Sequence, residues 1–408
     1  MQFKQKTLVN GLVLIGEINP PSKSAAVGYF VRTGARDETA QLNGVSHFLE
    51  HMLFKGNDRL SAFEVNEAFD SRGAQFNAFT SEEQTVFYAA VLPEYLIEIT
   101  ELWAELMRPA LRDEDFAVEK NVIKEEIAMY QDTPMFDVMD RCRSLHFGVH
   151  PCGNSVLGTV ESIDALTAEQ MRGYFALRYA PNNMIVACTG SFDWDRFCVT
   201  VETVSGRWQK QPVDRPLAHF DGTKKKTRTQ KANLKREHVC LMHTGVSAQD
   251  PRRFAASLLS MIVGDDYGSR FYWDLVDKAL AEEASMHFNP MDGTGMFYSY
   301  LRCGTPNVAK VSGIVESIFR DLVANGVRED ELVKAQNKVL SALVLKNELP
   351  MGRLVDLGFN WMYSGEYRSI EQDVEAVKAV RADDVNRLIR EIDLGNYTRY
   401  SLGPGMQS

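Results

Sequence analysis

The chain has 408 residues, of which 45% are hydrophobic, 25% charged and 10% aromatic, and it carries a formal net charge of -10. These proportions exclude a disordered, collagenous or coiled-coil polymer, and the acidic balance argues against a nucleic-acid binder, which needs surplus Lys and Arg to neutralise phosphates. The length predicts two domains of about 200 residues, and six cysteines without a CxxC spacing form no disulfide framework, so a reducing compartment is expected.

The segment from Met1 to Lys6 has neither the apolar stretch nor the small-residue site of an export signal, and no run of about 18 apolar residues exists to span a membrane. A cytoplasmic protein without membrane contact is expected. Asn10-Gly11 between two apolar runs predicts a hairpin, and Ala25 to Val31 a further strand. A helix is predicted from near Asn43 to Lys55-Gly56-Asn57, where Gly56 is a natural left-handed terminator. Gln75 to Phe79 and Thr85 to Leu92 read as strands, Glu94 to Met107 and Asp113 to Gln131 as helices, and Asn183 to Cys188 as a late strand.

Gln209 to Leu234 breaks this pattern with Pro212, Pro216, Gly222 and the basic run Lys224 to Arg228, and reads as a solvated connector. Beyond it the chain repeats itself. His243-Thr244-Gly245 ends a strand as Arg32-Thr33-Gly34 does, and Arg328 to Leu340 parallels Asp113 to Ile123, each after a long amphipathic helix. The expected organisation is a domain over 1–215, a linker over 216–234 and a homologous domain over 235–408. Each is read as an α+β unit with a mainly antiparallel sheet and helices on one face.

The chemistry concentrates in His47-Phe48-Leu49-Glu50-His51. On a helix His47 and His51 fall about 40° apart and one turn up, so both imidazoles can reach one cation, with Glu50 on the neighbouring edge. Phe48, Leu49, Met52, Leu53 and Phe54 make this helix buried nearly all round, so its polar side chains need a compensating partner, and a metal supplies one. A catalytic zinc needs a third protein ligand. Glu119 and Glu126, two turns apart on one helix face, are the candidates: one arrangement puts Glu126 on the metal and Glu119 behind a histidine, and a solvated acidic helix is the plain alternative.

His47 to His51, followed 75 residues after His51 by Glu126, resembles the inverted-zincin metallopeptidases of the pitrilysin family. Gly34 to Glu38, Gly44-Val45-Ser46, Phe76 to Glu82, Gly158 to Ile163 and Tyr179 to Met184 are similar to the family's pattern, so residues 10 to 190 carry the resemblance and the second half follows it loosely. The resemblance implies a processing-peptidase-like fold and a zinc endopeptidase acting on short or unfolded peptides. It makes His47, His51 and Glu126 the ligands of one zinc per chain, Glu50 the general base, and Glu119 the residue behind a ligand. Asn77, Ala78, Phe79 and Thr80 become an edge strand that pairs with extended substrate.

One departure matters. Many members carry an arginine and then a tyrosine after a Gly-Ser-Arg-Leu-like turn in the second half, and these help stabilise the tetrahedral intermediate. Here Gly268-Ser269-Arg270-Phe271 keeps the turn, but Val276 stands at the arginine position and Glu283 at the tyrosine position. An ionised acid cannot donate to an oxyanion. The second copy also lacks an HxxEH, with Ser341-Ala342 roughly where Glu125-Glu126 would be. The expectation is a zinc-bearing subunit whose homologous partner supplies the missing pair. A homodimer and a non-catalytic scaffold subunit are the alternatives.

His146 and His150 form a second i, i+4 pair, but Gly148 and Pro151 oppose a long helix there and no acidic ligand is near, so a structural role is expected. His219, His238, His243 and His287 read as isolated surface or core histidines, and Asp292 to Gly295 as a turn.

Overall fold

The computed structural model describes residues 1–218 and 220–405, so His219 lies outside the described residues. Two compact units form, and neither is continuous in sequence. Unit 1 contains Met1–Ala128, Asn154–Pro216 and Leu345–Arg368; unit 2 contains Met129–Gly153, Leu217–Val344 and the chain from Ser369 onward. Each half of the chain gives one segment to the other unit.

In unit 1, strands β1 (Gln2–Thr7), β2 (Val13–Ile18), β3 (Ala25–Val31), β4 (Gln75–Thr80), β5 (Thr85–Val91) and β6 (Met184–Gly190) form one sheet in the order β1-β2-β6-β3-β5-β4. Only β2 and β6 pair in parallel. Gly11, with φ +86°, closes the β1–β2 hairpin as its sequence predicts. β4 pairs with β5 alone, so its other side is a sheet edge.

The α-helices are, in chain order, α1 (Val45–Leu53), α2 (Ala62–Asp70), α3 (Leu96–Leu106), α4 (Asp113–Asp132), α5 (Pro134–Phe147), α6 (Val160–Ala165), α7 (Ala168–Arg178), α8 (Trp194–Ser205), α9 (Arg253–Gly264), α10 (Val308–Asn325), α11 (Glu329–Asn347), α12 (Pro350–Ser364), α13 (Ile370–Ala379) and α14 (Ala382–Glu391). Strand alternation sorts the two faces of the first sheet. Val27, Tyr29, Phe87 and Ala89 face Phe48 and Met52 of α1, Trp103 of α3 and Ile123 of α4. Ala26, Phe30, Val86 and Ala187 face Leu354 and Leu357 of α12. A Cβ on Gly358 would lie 2.2 Å from the Phe30 ring, so α12 approaches as closely as it does because that residue is glycine.

Unit 2 repeats the plan with β7 (Lys226–Gln230), β8 (Glu237–Gly245), β9 (Glu283–Pro290), β10 (Gly295–Cys303) and β11 (Thr398–Gly403) in the order β7-β11-β8-β10-β9. One face packs on α9, α10 and α14, and the other on Val138, Cys142 and Phe147 of α5. Two tandem α+β units are present, as the repeat in the sequence predicts. Each sheet carries helices on one face and, beyond that reading, a single helix from the other half of the chain on its second face. The connector over 216–234 also contains β7, whose charged residues hide an edge strand. Among the described residues, no helix is long and apolar enough to cross a membrane.

Candidate metal centre

α1 presents the histidine motif, and its ends are held from outside the helix. Gly44, at φ +93°, has no capping side chain. Instead the buried Glu38 carboxylate accepts the backbone N–H groups of Gly44 (2.7 Å) and Ser46 (2.8 Å), placing a negative charge at the positive end of the helix. Burial pushes the Glu38 carboxyl up to about 7 against the donors that hold it down. Ser46 also shares a hydroxyl contact with Tyr174 at 2.9 Å. Just before it, the 34–38 turn is strapped to the β4–β5 turn, with Ala35 and Arg36 donating their N–H groups to Ser81 and Glu82 and Arg36 bonding Glu83 at 2.5 Å.

α4 brings the second half of the site. Phe116 stacks on Phe48 with centroids 4.8 Å apart and rings 7° from parallel, which sets the spacing of α4 and α1 one turn from the polar residues. Across that gap, Glu126 Oε2 lies 3.7 Å from His47 Nε2 and 3.5 Å from His51 Nε2. One donor atom from each of the three residues lies within 4.8 Å of the others, and this is the one such trio among the described residues. Donors on one tetrahedral zinc, at bond lengths of 2.0–2.1 Å, are about 3.4 Å apart. The carboxylate-to-imidazole spacings are therefore within a few tenths of an ångström of that value, and the trio fits zinc.

The electrostatics agree with a metal-ready site. Burial, with the neighbouring His51, lowers His47 to about 3, so its imidazole is neutral near pH 7 and keeps a lone pair. Burial opposes charge on His51, but the hydrogen bond that its Nδ1–H donates to Glu119 (2.8 Å) and the charges of Glu126, Glu119 and Glu50 raise it overall. Glu119 also pairs with Lys55 at 2.5 Å, and these two partners lower its carboxyl despite burial. With Glu119 ionised, His51 Nδ1 carries the proton and Nε2 is left for a cation. Burial raises Glu126. It also raises Glu50, although Thr80 Oγ1 donates to Glu50 Oε2 at 2.6 Å.

The structure thus brings together all five acidic and imidazole residues singled out in the sequence. Thr80 joins them through Glu50, on the edge strand β4. Ala78 and Phe79 lie on the same strand, and Asn77 Oδ1 accepts the N–H of Ala78 at 2.8 Å. Glu38, Lys55 and Phe116 were not singled out. The signal for Lys55 was its place one turn after His51; Glu38 reaches the helix start from outside the helix, and Phe116 acts across a long sequence separation. His146 and His150 join no metal-binding trio among the described residues. His146 Nδ1 pairs with Thr398 Oγ1 at 3.0 Å, and its ring packs edge-on to Phe220.

Residues 13–160 match the model of insulinase (peptidase family M16), and residues 165–339 match that of the peptidase M16 inactive domain. The chain is 30% identical over 408 residues to an uncharacterized zinc protease, YmxG, of Bacillus subtilis, spanning 98% of both chains. The chain belongs to the M16 peptidase family. A second relative, an uncharacterized zinc protease of Streptomyces coelicolor, is 31% identical over 399 residues, covering 95% of this chain and 87% of that protein. The fold matches a protease from Helicobacter pylori with TM-score 0.91 at 22% identity, over 99% of both chains. It also matches a chain of complex III2 from Candida albicans with TM-score 0.85 at 18% identity, over 98% of this chain and 95% of that one.

Against the M16 pattern of the second half, Val276 ends the one-turn π-helix Tyr272–Val276 and packs on the core of unit 2. Glu283 opens β9, with its carboxylate 3.8 Å from the Arg302 guanidinium.

Proposed function

We propose that this chain is a zinc-dependent endopeptidase of short or unfolded peptides, and that it is the zinc-bearing member of a two-chain enzyme. The observation that carries the reading is the convergence of His47, His51 and Glu126, with Glu119 behind one imidazole and Glu50 beside the trio. When bound, zinc supplies Lewis acidity to a scissile carbonyl and an attacking water. Glu50, held in one orientation by Thr80, takes the proton of that water and returns it to the leaving amine. Burial raises its carboxyl above the usual carboxylate range, the direction that strengthens it as a base. The free edge of β4 pairs with extended peptide backbone whatever its side chains, and a substrate carbonyl replaces Asn77 on the Ala78 N–H.

Val276 and Glu283 support the two-chain reading, since a valine side chain has no hydrogen-bond donor and a glutamate offers neither the cation nor the phenol that an oxyanion needs. A homologous subunit with the arginine and tyrosine would complete the site. The test is peptide cleavage by the chain alone and with the homologue that co-purifies from its source, with Glu50→Gln as control. Activity appearing only in the mixture supports the reading; full activity of the isolated chain removes the heterodimer. The resemblance to a complex III chain favours a scaffold as second reading, and a folded protein without zinc affinity would support it.

A further inference from the structure

A cavity of about 580 Å³ opens within unit 2, between α9, α10, α11 and the segment joining α9 to β9. Its place in the repeat is that of the metal centre. α9 follows β8 as α1 follows β3, and α11 follows α10 as α4 follows α3. Ala335 comes three residues after Leu332 as Glu119 does after Phe116, and it lines the cavity where a carboxylate would stand. The second copy has a cavity between these helices and no histidine motif on α9.

We propose that this cavity binds the C-terminal end of a peptide whose last residue is aromatic or large and aliphatic. The floor is apolar, from Met261, Ile262, Ile314, Ile318 and Ala335. Trp273 forms a wall although its side chain is among the exposed large hydrophobics, at 55%. It is projected by the one-turn π-helix, a local irregularity common at functional sites, and the segment ends in Ala279 at φ +53°.

The rim is cationic. Five lining side chains are basic (Arg270, Lys278, Arg328, Lys334 and Lys338) and three are acidic, in a chain of net charge -10. Arg270 is committed to Asp321 and Glu331. Lys278, Lys334 and Lys338 are paired at the surface, with side-chain exposures of 55%, 70% and 41%. Exposed pairs of this kind contribute about 0–1 kcal/mol, so the ammonium groups can turn to an incoming anion. An apolar floor beside such a rim fits a terminal side chain and its own carboxylate. The volume lies in the range of about 300–1,000 Å³ usual for ligand sites. The choice of a peptide over another apolar carboxylate rests on the peptidase reading.

The experiment uses the full chain carrying Glu50→Gln, so that nothing is cleaved. A short peptide labelled at its N-terminus and ending in Leu-Phe is titrated by fluorescence anisotropy, as the free carboxylate and as the C-terminal amide. The free carboxylate is expected to saturate, and the amide to bind about tenfold or more weakly, the loss expected for a charge-assisted contact. Trp273→Ala and Lys338→Glu, both surface changes checked by circular dichroism, should each weaken binding by about tenfold. Adding His51→Ala should leave binding unchanged. Equal affinity for the amide, indifference to Trp273→Ala and Lys338→Glu, or loss with His51→Ala would each overturn the proposal, the last by putting the peptide at the metal centre. Decanoate competing as strongly as the peptide would overturn the choice of occupant. If the unmodified chain cleaves nothing with or without its homologue while carboxylate-selective binding persists, the peptidase reading falls and this site stands.

Discussion

Glu119 accepts the Nδ1–H of His51 at 2.8 Å and holds the ammonium of Lys55 at 2.5 Å, so one buried carboxylate fixes both a metal-facing imidazole and the C-terminal turn of α1. Glu119→Gln keeps the shape but removes the charge. Zinc affinity should fall about 10–100-fold, the usual cost of losing such an outer partner. Competition with a chromophoric chelator measures it; an unchanged affinity would show that His51 needs no orienting group.

Glu50 and Thr80 give a second expectation. Glu50→Gln should retain zinc and lose turnover by about 10²–10⁴-fold, because only the proton carrier is removed. Thr80→Val should move the acid limb of the pH–rate profile upward. The Thr80 hydroxyl favours the ionised carboxylate, so its removal raises the Glu50 pKa further, and a higher pH is needed to keep the base unprotonated. A profile that moves down or stays fixed would contradict Glu50 as the titrating base.

Unit 2 should be acid-sensitive. Burial lowers His146 and His243 to about 4, with each also lying near other polar groups that modify the effect. A histidine depressed in the folded state contributes stability that is complete above its unfolded value of about 6.5 and lost as pH falls toward the folded value. Each shift corresponds to at most about 3 kcal/mol. His146→Gln should therefore shrink the drop in urea midpoint between pH 7.5 and pH 4.5 (roughly the window these shifts define). An undiminished drop would assign the acid sensitivity elsewhere.

Arg353 on α12 makes two contacts with Glu17 on β2, at 2.9 and 2.6 Å, with both side chains almost fully buried. Tyr367 adds a third bond to the same carboxylate at 2.7 Å. Arg353→Ala strands a buried charge and should cost about 3–5 kcal/mol in denaturant unfolding. Arg353→Met combined with Glu17→Gln should cost clearly less, since no net charge remains. Equal costs for the two variants would mean that packing of α12, not the charge, governs the loss.

The histidine motif was legible because three of its side chains sit within one helical turn and a fixed geometry relates them. Glu119 and Glu126 were legible as candidates on one helix face. Their meeting with the imidazoles depends on the Phe48–Phe116 stack, which joins residues far apart in the chain. The cap of α1 was not legible, because Gly44 carries no capping side chain and Glu38 reaches it from six residues upstream. β7 escaped notice because Lys-Thr-Arg-Thr-Gln has no apolar alternation. The exchanged segments were invisible because an amphipathic helix fits either sheet equally well by pattern.

That trade of helices gives the chain an unusual indivisibility. Cut anywhere in the connector, it would yield two fragments that each expose an oily sheet surface, with the piece meant to shield it carried off on the other fragment. The duplicated halves cannot be shuffled or inherited apart without loss, and a nick between them should leave the fragments clasped together until they unfold.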